Sequence, residues 1–244
     1  MMDKIRLVEL ELHSYCNRTC SWCPNSYIDR KSSNKFMDDD VFETLIQGLE
    51  SIQYSGAISF SRYNEPFAFE LNLSQHVKQL RKRLPNALLV ANTNGDYGIE
   101  GSDLDEITIM DYDNKGYTGE SYVHKGKSVR YTKLGSINNR GGALDIKQNF
   151  IRTAPCYEPL HFVGVNYDGT VSPCCNIRND IKKHKPYILG DLHNDSLESI
   201  LNSDKAVKFR ETVSKGDNFP PPCKNCDKEA GRYTSGNGIR GELT

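Results

Sequence analysis

The chain has no excess of charge of one sign. Its 244 residues carry 31 Lys and Arg against 32 Asp and Glu, a formal net charge of −1. That balance gives no electrostatic reason to expect nucleic acid or an anionic membrane as a partner. Long apolar runs are missing too: no stretch approaches the ~20 residues that cross a bilayer. The opening residues, Met1-Met2-Asp3-Lys4-Ile5, enter a strand pattern at once, without the apolar core of a signal peptide. Together these absences point to a cytoplasmic protein. In that compartment thiols stay reduced, and cysteines are metal ligands more often than disulfide partners.

Cysteine is absent from the middle of the chain. Of eight cysteines, Cys16, Cys20 and Cys23 stand near the start and Cys156, Cys174, Cys175, Cys223 and Cys226 near the end, with none between Cys23 and Cys156. The gap predicts two metal-binding regions in two domains, residues 1–150 and 151–230, followed by a flexible Gly/Ser/Asn-rich tail, 231–244.

What is present first is Cys16-Asn17-Arg18-Thr19-Cys20-Ser21-Trp22-Cys23, a CxxxCxxC loop directly after the run Ile5–Leu12. Three thiolates in one loop can hold three corners of a cubane iron–sulfur cluster and leave the fourth iron open. A structural zinc site would want a fourth protein ligand and usually uses CxxC pairs. Within Ile5–Leu12, Val8, Leu10 and Leu12 alternate with Glu9 and Glu11, so a strand there puts both carboxylates on one face. Both faces of a strand in a parallel sheet tend to be buried, so at least one carboxylate should have a specific partner.

Val41, Phe42, Leu45, Ile46 and Leu49 fall at helical spacing behind Asp38, which predicts a helix to about Ile52. Strands follow at Ala57–Ser61, Ala87–Thr93 and Glu106–Tyr112, with a second helix near Leu73–Leu84 that stops before Pro85. Residues 113–131 are polar, with no convincing long helix, and a further strand spans Ser128–Leu134. The order argues for a parallel sheet with crossover helices, an α/β partial barrel of five to six strands. Chemistry in such arrays sits at the strand C-termini. Four groups stand there: the cysteine loop, Tyr63-Asn64-Glu65-Pro66, Thr93-Asn94-Gly95 and Asp111-Tyr112.

Beyond residue 150, His161–Asn166 and Thr170–Pro173 flank Asp168-Gly169 as a β-hairpin, entered after Cys156 and left through Cys174. Short helices near Leu197–Leu201 and Lys205–Ser214 lead to the knuckle Cys223-Lys224-Asn225-Cys226. Cys156, Cys174, Cys223 and Cys226 suit either a tetrahedral zinc or a second cubane. Cys175 is left over. It reads as a small buried hydrophobe or, with Asn176, as part of a cavity wall.

The CxxxCxxC loop, with an aromatic before its last cysteine, resembles the signature of the radical S-adenosylmethionine (SAM) superfamily. The resemblance implies that SAM chelates the open iron and is cleaved reductively to a 5′-deoxyadenosyl radical. It implies that Trp22 lies beside the adenine. It implies that Tyr63, Asn64, Glu65 and Pro66, standing where the superfamily has Gly-Gly-Glu-Pro, bind the SAM amino group. Thr93, Asn94 and Asp111 then complete the cofactor site, with Asp111 on the ribose hydroxyls. Tyr63 and Asn64 tolerate positive φ less readily than the glycines they replace. The C-x12-G-x4-C spacing, Leu189-Gly190-Asp191 and the late CxxC resemble the superfamily's twitch module, a shortened SPASM auxiliary-cluster domain. That implies two [4Fe–4S] clusters, the second on Cys156, Cys174, Cys223 and Cys226.

The chain is most similar in pattern to the small twitch-domain enzymes of the superfamily that dehydrogenate aminocyclitol alcohols. The shared features are Cys16 to Asn25, the Asn-Glu-Pro turn, and Asn139-Arg140-Gly141-Gly142 shortly before Cys156. This implies hydrogen abstraction from a sugar-like or aminocyclitol-like small molecule, with the second cluster accepting the second electron. A flavodoxin- or ferredoxin-type protein would be the external one-electron reductant. Arg140 takes the family position of the hydroxyl partner. A guanidinium is effectively always protonated, so it suits holding an alkoxide, with Glu9, Glu11 or His161 taking the proton. The rivals are an epimerase, a peptide maturase, a purine-nucleotide cyclase and a zinc protein. The leader-binding domain common in maturases has no room before a strand that starts at residue 5. The arginine-rich tail usual in the cyclases is reduced here to Arg232 and Arg240.

The three-plus-four partition of cysteines predicts about eight irons per chain as two cubanes. Changing Cys16, Cys20 and Cys23 together to Ala should leave about half of that iron after anaerobic reconstitution, read by metal analysis. Complete iron loss, or zinc in anaerobically purified protein, would contradict the partition.

Overall fold

In a computed structural model the chain is described apart from residues 1–3, 33, 102, 114–120, 125–126, 134–136, 147–148, 229–231, 235–239 and 243–244. The alternating run at the start becomes β1 (Leu7–Leu10). Val8 and Leu10 are fully buried in one large core, together with Val41, Leu45 and Leu49 of a covering helix. Leu7 lies in a separate small cluster with Ala57 and Phe162, against which Cys174 and Cys175 pack. Glu9 shares the Leu7 side of β1, so the carboxylate face turns toward the second cysteine group.

That covering helix, α1 (Asp39–Glu50), buries the five apolar residues named by their spacing, with Asp38 as its N-cap. Asp39 and Asp40 in its first turn complement the helix dipole. The strand β2 (Ala57–Ser59) follows, then a 3-10 turn, Pro66–Phe69, that runs into α2 (Glu70–Arg83). The turn starts α2 a few residues before Leu73, and Pro85 ends it as expected. Next come β3 (Leu88–Thr93), β4 (Glu106–Asp111), β5 (Ser121–His124) and β6 (Lys127–Lys133). β5 falls in the polar stretch where sequence patterning shows no strand. It pairs antiparallel with β6 at the sheet edge.

The second region opens with α3 (Glu158–His161), then β7 (Phe162–Val165), β8 (Thr170–Ser172) and β9 (Gly190–Asp191). The helices α4 (Leu197–Asn202), α5 (Asp204–Lys215) and α6 (Pro221–Lys224) complete it. The hairpin β7–β8 forms where Asp168-Gly169 predicts it, with Gly169 at φ +80°. It does not stand apart from the barrel. β7 pairs in parallel with the free edge of β1, Val8 opposite Val163, while Val8 faces Ile58 of β2 on its other side. The order is β5-β6-β4-β3-β2-β1-β7-β8-β9, so both regions share one sheet. Its six strands from β6 to β7 run parallel. All of β7 is buried, which only a central strand with both neighbours in place allows.

The tail expected to be flexible lies largely outside the described residues. Within it, β10 (Arg232–Thr234) and β11 (Arg240–Glu242) pair antiparallel. Among the described residues no helix is long and apolar enough to cross a membrane.

A buried chain of charges locks the two regions together. Glu11, fully buried, accepts from Arg30 at 2.8 Å, and Arg30 donates to Asp180 at 2.8 Å. Arg178, also buried, pairs with the same Asp180 and donates to Asn25 Oδ1. Burial works against the Asp180 charge, but Arg178 and Arg30 hold its carboxyl down to about 2. Removing one member of such a network leaves a buried charge uncompensated, at about 3–5 kcal/mol. Arg30→Met should therefore lower Tm by calorimetry to an extent that corresponds to about 3–5 kcal/mol. Because the Asp180 pKa is depressed, its contribution is complete above the ordinary value near ~4 and lost as pH falls through about 2. A variant that melts like the parent at pH 7 would contradict the role.

Candidate active site

The strand C-termini meet at one rim. The chain leaving β1 forms the cysteine loop, and Glu65 N donates to Tyr15 O at 2.9 Å, which pins the loop's entrance to the turn after β2. Arg18 forks between Asp96, after β3, and Asp113, after β4, with four hydrogen bonds of 2.6–2.8 Å. Asn17 donates to Asp96 and accepts from Asn94, each at 2.8 Å. These bonds give the two motif residues between the first cysteines a mechanical task that spacing alone does not reveal. Trp22 packs on Tyr112 at a ring separation of 5.7 Å and so makes a flat wall beside the end of β4, where Asp111 is buried.

Burial pushes the Cys16 thiol up to about 11, and Glu65, Cys23 and Cys20 add to it against a hydrogen bond from the Arg18 backbone. The other group behaves alike. Cys174 is held well above the usual thiol range by burial, then by Cys175, Cys223, Cys226 and Cys156. Cys223 is raised by burial, then by Cys226 and Cys156. Each set therefore repels itself once ionised, and a bound polycation relieves that repulsion. Among the described residues no three His, Cys, Asp or Glu side chains converge on a single metal ion. A cubane keeps its thiolates on separate corners and does not ask for that convergence. The two thiol sets fit clusters with three and four protein ligands.

Glu65 is almost fully buried, and both carboxylate oxygens are engaged. Oε1 accepts from Thr93 Oγ1 at 2.6 Å and from Phe67 N at 3.2 Å, and Oε2 accepts from Asn94 N at 2.9 Å. Burial pushes its carboxyl up to about 7 in spite of these bonds. Glu65 thus fastens the turn Tyr63–Pro66 to the end of β3. Neither Tyr63 nor Asn64 is at positive φ, so the loss of two glycines costs no backbone strain here. Tyr63 adds a contact that glycine lacks: its hydroxyl donates to Cys175 O at 2.8 Å and bridges the two cysteine groups.

Arg140 lies between those groups. It sits at φ +52°, followed by Gly141 at +63° and Gly142 at +74°, a left-handed run that costs an arginine about 1–3 kcal/mol. The surroundings enforce it. Asn139 donates its backbone N–H to Asp227 Oδ1 at 2.7 Å, and its side chain donates to Asn225 O in the knuckle. A Cβ on Gly141 would stand 3.2 Å from Pro222 O. The turn is therefore docked on the Cys223–Cys226 knuckle and points Arg140 back over the Tyr63 ring, 5.8 Å from its centre. Burial opposes the Arg140 charge, but Tyr63, Cys175, Cys23 and Glu9 hold it.

Glu9 and Glu11, one face of β1, have different surroundings. Glu9 Oε2 lies 3.4 Å from Arg62 Nη1, and burial lifts its carboxyl to about 7 against the pull of Arg62 and then Lys228. Glu11 Oε1 accepts from Arg30 at 2.8 Å and from the Tyr63 amide at 3.3 Å, while its Oε2 is buried without a hydrogen-bond partner. His161 is excluded as a proton acceptor. Its Nδ1 contacts Lys4 O and its carbonyl accepts from Arg6, both at the N-terminal end of β1, opposite the rim. Sequence patterning misses Arg62 and Lys228, whose partners are distant in the chain, and Arg178, which joins nearby Asp180 to distant Asn25. Two surface cavities, of about 260 and 650 Å³, have no cysteine in their walls. The first cysteine loop, Glu65 and Asn94 gather at the rim, and the second thiol set packs below it against Leu7 and Phe162.

A family model described as an iron-sulfur cluster-binding domain, SPASM, matches residues 156–227. The S-adenosyl-L-methionine-dependent 2-deoxy-scyllo-inosamine dehydrogenase of Niallia circulans is 30% identical over 243 residues, covering 93% of this chain and 94% of that protein. The crystal structure of BtrN in complex with AdoMet and 2-DOIA superposes with a TM-score of 0.75 at 26% identity, over 92% of this chain and 93% of that one. Native anSMEcpe with bound AdoMet shares the fold, at a TM-score of 0.56 and 12% identity, with 90% and 88% covered. The chain belongs to the radical SAM enzymes that carry an auxiliary iron–sulfur cluster domain, together with the 2-deoxy-scyllo-inosamine dehydrogenase, and its cofactors are SAM and two iron–sulfur clusters.

Proposed function

We propose that this enzyme oxidises a secondary alcohol of a small polar molecule, of the sugar or aminocyclitol class, to a ketone. The observation that carries the reading is the placement of Arg140. A strained turn, anchored on the second cysteine set, sets its guanidinium over the Tyr63 ring with Glu9 among its charge partners. The activity of the 30%-identical relative on 2-deoxy-scyllo-inosamine supports the substrate class. In this reading Cys16, Cys20 and Cys23 ligate one cluster within residues 1–150. Cys156, Cys174, Cys223 and Cys226 ligate the other within residues 151–230. Trp22, Thr93, Asn94, Asp111 and the backbone of Tyr63–Pro66 enclose SAM. The enzyme works in the cytoplasm with a flavodoxin- or ferredoxin-type reductant.

When bound, SAM and the first cluster supply a hydrogen-abstracting 5′-deoxyadenosyl radical, and the second cluster supplies a one-electron oxidant. The chain's residues handle the hydroxyl group. Arg140 stays charged and holds the oxygen as it becomes an alkoxide. Glu9 takes the hydroxyl proton, and Arg62 beside it stabilises the carboxylate form. The alcohol thereby loses a hydrogen atom, a proton and an electron, which balances its conversion to a ketone.

Two outcomes follow. Arg140→Lys keeps the charge but loses the planar fork. It should cut ketone formation about 10²-fold while 5′-deoxyadenosine, measured by chromatography, continues to appear. Equal loss of both would place Arg140 in SAM binding instead. For Glu9, only the carboxylate can accept a proton, so ketone formation should fall about tenfold per unit as pH drops below about 7. Glu9→Gln should be slow and lack that dependence. A Gln variant with the parent's pH profile assigns the proton to another group. A product inverted at carbon without oxidation would identify an epimerase, and a crosslinked peptide a maturase.

A further inference from the structure

The eighth cysteine and its neighbour have surroundings that the reaction above leaves unused. Asn176, almost fully buried, donates its Nδ2 to Cys226 Sγ at 3.3 Å. The Cys175 thiol donates to Asn176 Oδ1 at 3.8 Å, and Lys228 Nζ donates to Cys175 Sγ at 3.4 Å. One orientation of the amide satisfies both ends. A ligating thiolate has no proton to give, so the NH2 end must face Cys226 and the carbonyl end must face Cys175. Lys228 is anchored by Glu158 Oε1 at 2.7 Å. Glu158 and Lys228 each stand two residues after a cysteine of the same set, Cys156 and Cys226.

We propose that Asn176 and Lys228 raise the reduction potential of the second cluster, with Cys175 as the residue that orients them. The proposal rests on the assignment of Cys156, Cys174, Cys223 and Cys226 as that cluster's ligands. The sign comes from electrostatics. Reduction adds a negative charge, which an N–H···S bond and a nearby ammonium both stabilise, so each favours the reduced form. Other charges bear on the set. Arg152 lies near Cys156 and Cys223 and donates to Cys226 O, while Arg140 and Glu9 reach Cys175 from the rim. Arg152 acts in the same direction as Lys228, and Glu158 opposes it. The Lys228–Glu158 pair is neutral as a whole, but its cationic end contacts the thiol. Cys175 thereby has a task beyond filling space.

The test is an anaerobic redox titration of the reconstituted full chain, followed by electron paramagnetic resonance. Adding SAM perturbs the signal of the first cluster and so identifies that of the second. Asn176→Leu and Lys228→Met should each load iron fully and move the second midpoint to more negative potential, leaving the first in place. Lys228→Arg should keep the parent value. Glu158→Gln with Lys228→Met should shift less than Lys228→Met alone, because no carboxylate is left uncompensated. An unmoved or more positive midpoint in both variants overturns the proposal. So does loss of the second cluster's iron from them, which would make the residues part of assembly. If Cys226→Ala keeps both clusters intact, the ligand assignment fails instead, and that result is separate from the potentials.

Discussion

Backbone pairing along both edges of β1 decides where chemistry can occur in this molecule. With β2 on one side and β7 on the other, the strand joins the parallel sheet of the first region to a cysteine-rich module that begins more than a hundred residues later. The β7 edge is filled in register, Leu7 opposite Phe162 and Leu10 opposite Val165, so the module cannot rotate as a loosely tethered domain would. Because β8 runs back antiparallel to β7, the thiols that follow it pack against Leu7 and Phe162, on the carboxylate face of β1 but toward the end of the strand away from the cysteine loop. The buried chain Glu11–Arg30–Asp180–Arg178 reinforces the arrangement with charges that are costly to separate.

The rim carries a division of labour between neighbouring residues of one strand. Glu11 faces Arg30 directly at 2.8 Å through one carboxylate oxygen, whereas Glu9 has the longer contact to Arg62 and a carboxyl that burial lifts to about 7. Two residues along a strand bring a side chain back to the same face, so the pattern that puts both inward cannot separate their roles. Arg140 is the counterpart from the other side. Its left-handed backbone stores strain that the knuckle contacts offset, which is how a loop residue acquires one fixed aim.

Much of this was legible in the sequence because it depends on local spacing. The cysteine loop, the helix behind Asp38, the Asp168-Gly169 hairpin and the face shared by Glu9 and Glu11 all follow from periodicity or turn chemistry. What was not legible depends on pairs far apart in the chain. Arg18 with Asp96 and Asp113, Arg30 with Asp180, and Lys228 with Glu158 leave no local trace. The docking of β7 on β1 is of the same kind, since a buried apolar strand does not name its neighbour. His161 shows the converse error: a titratable residue near the right cysteine in sequence lies at the wrong end of the sheet. The replacement of two glycines by Tyr63 and Asn64 looked like a loss of backbone freedom. Neither residue is at positive φ in the fold, and Tyr63 serves as a bridge.

The central claim is that hydrogen leaves a carbinol carbon at the rim and that the remaining electron crosses to the second cluster. A single turnover with a candidate substrate deuterated at that carbon tests it most directly. The account requires one deuterium in 5′-deoxyadenosine for each ketone formed, with the second cluster's reduced signal appearing in step. Ketone without deuterium in 5′-deoxyadenosine, or deuterium transfer with the substrate returned at its original oxidation level, would contradict it.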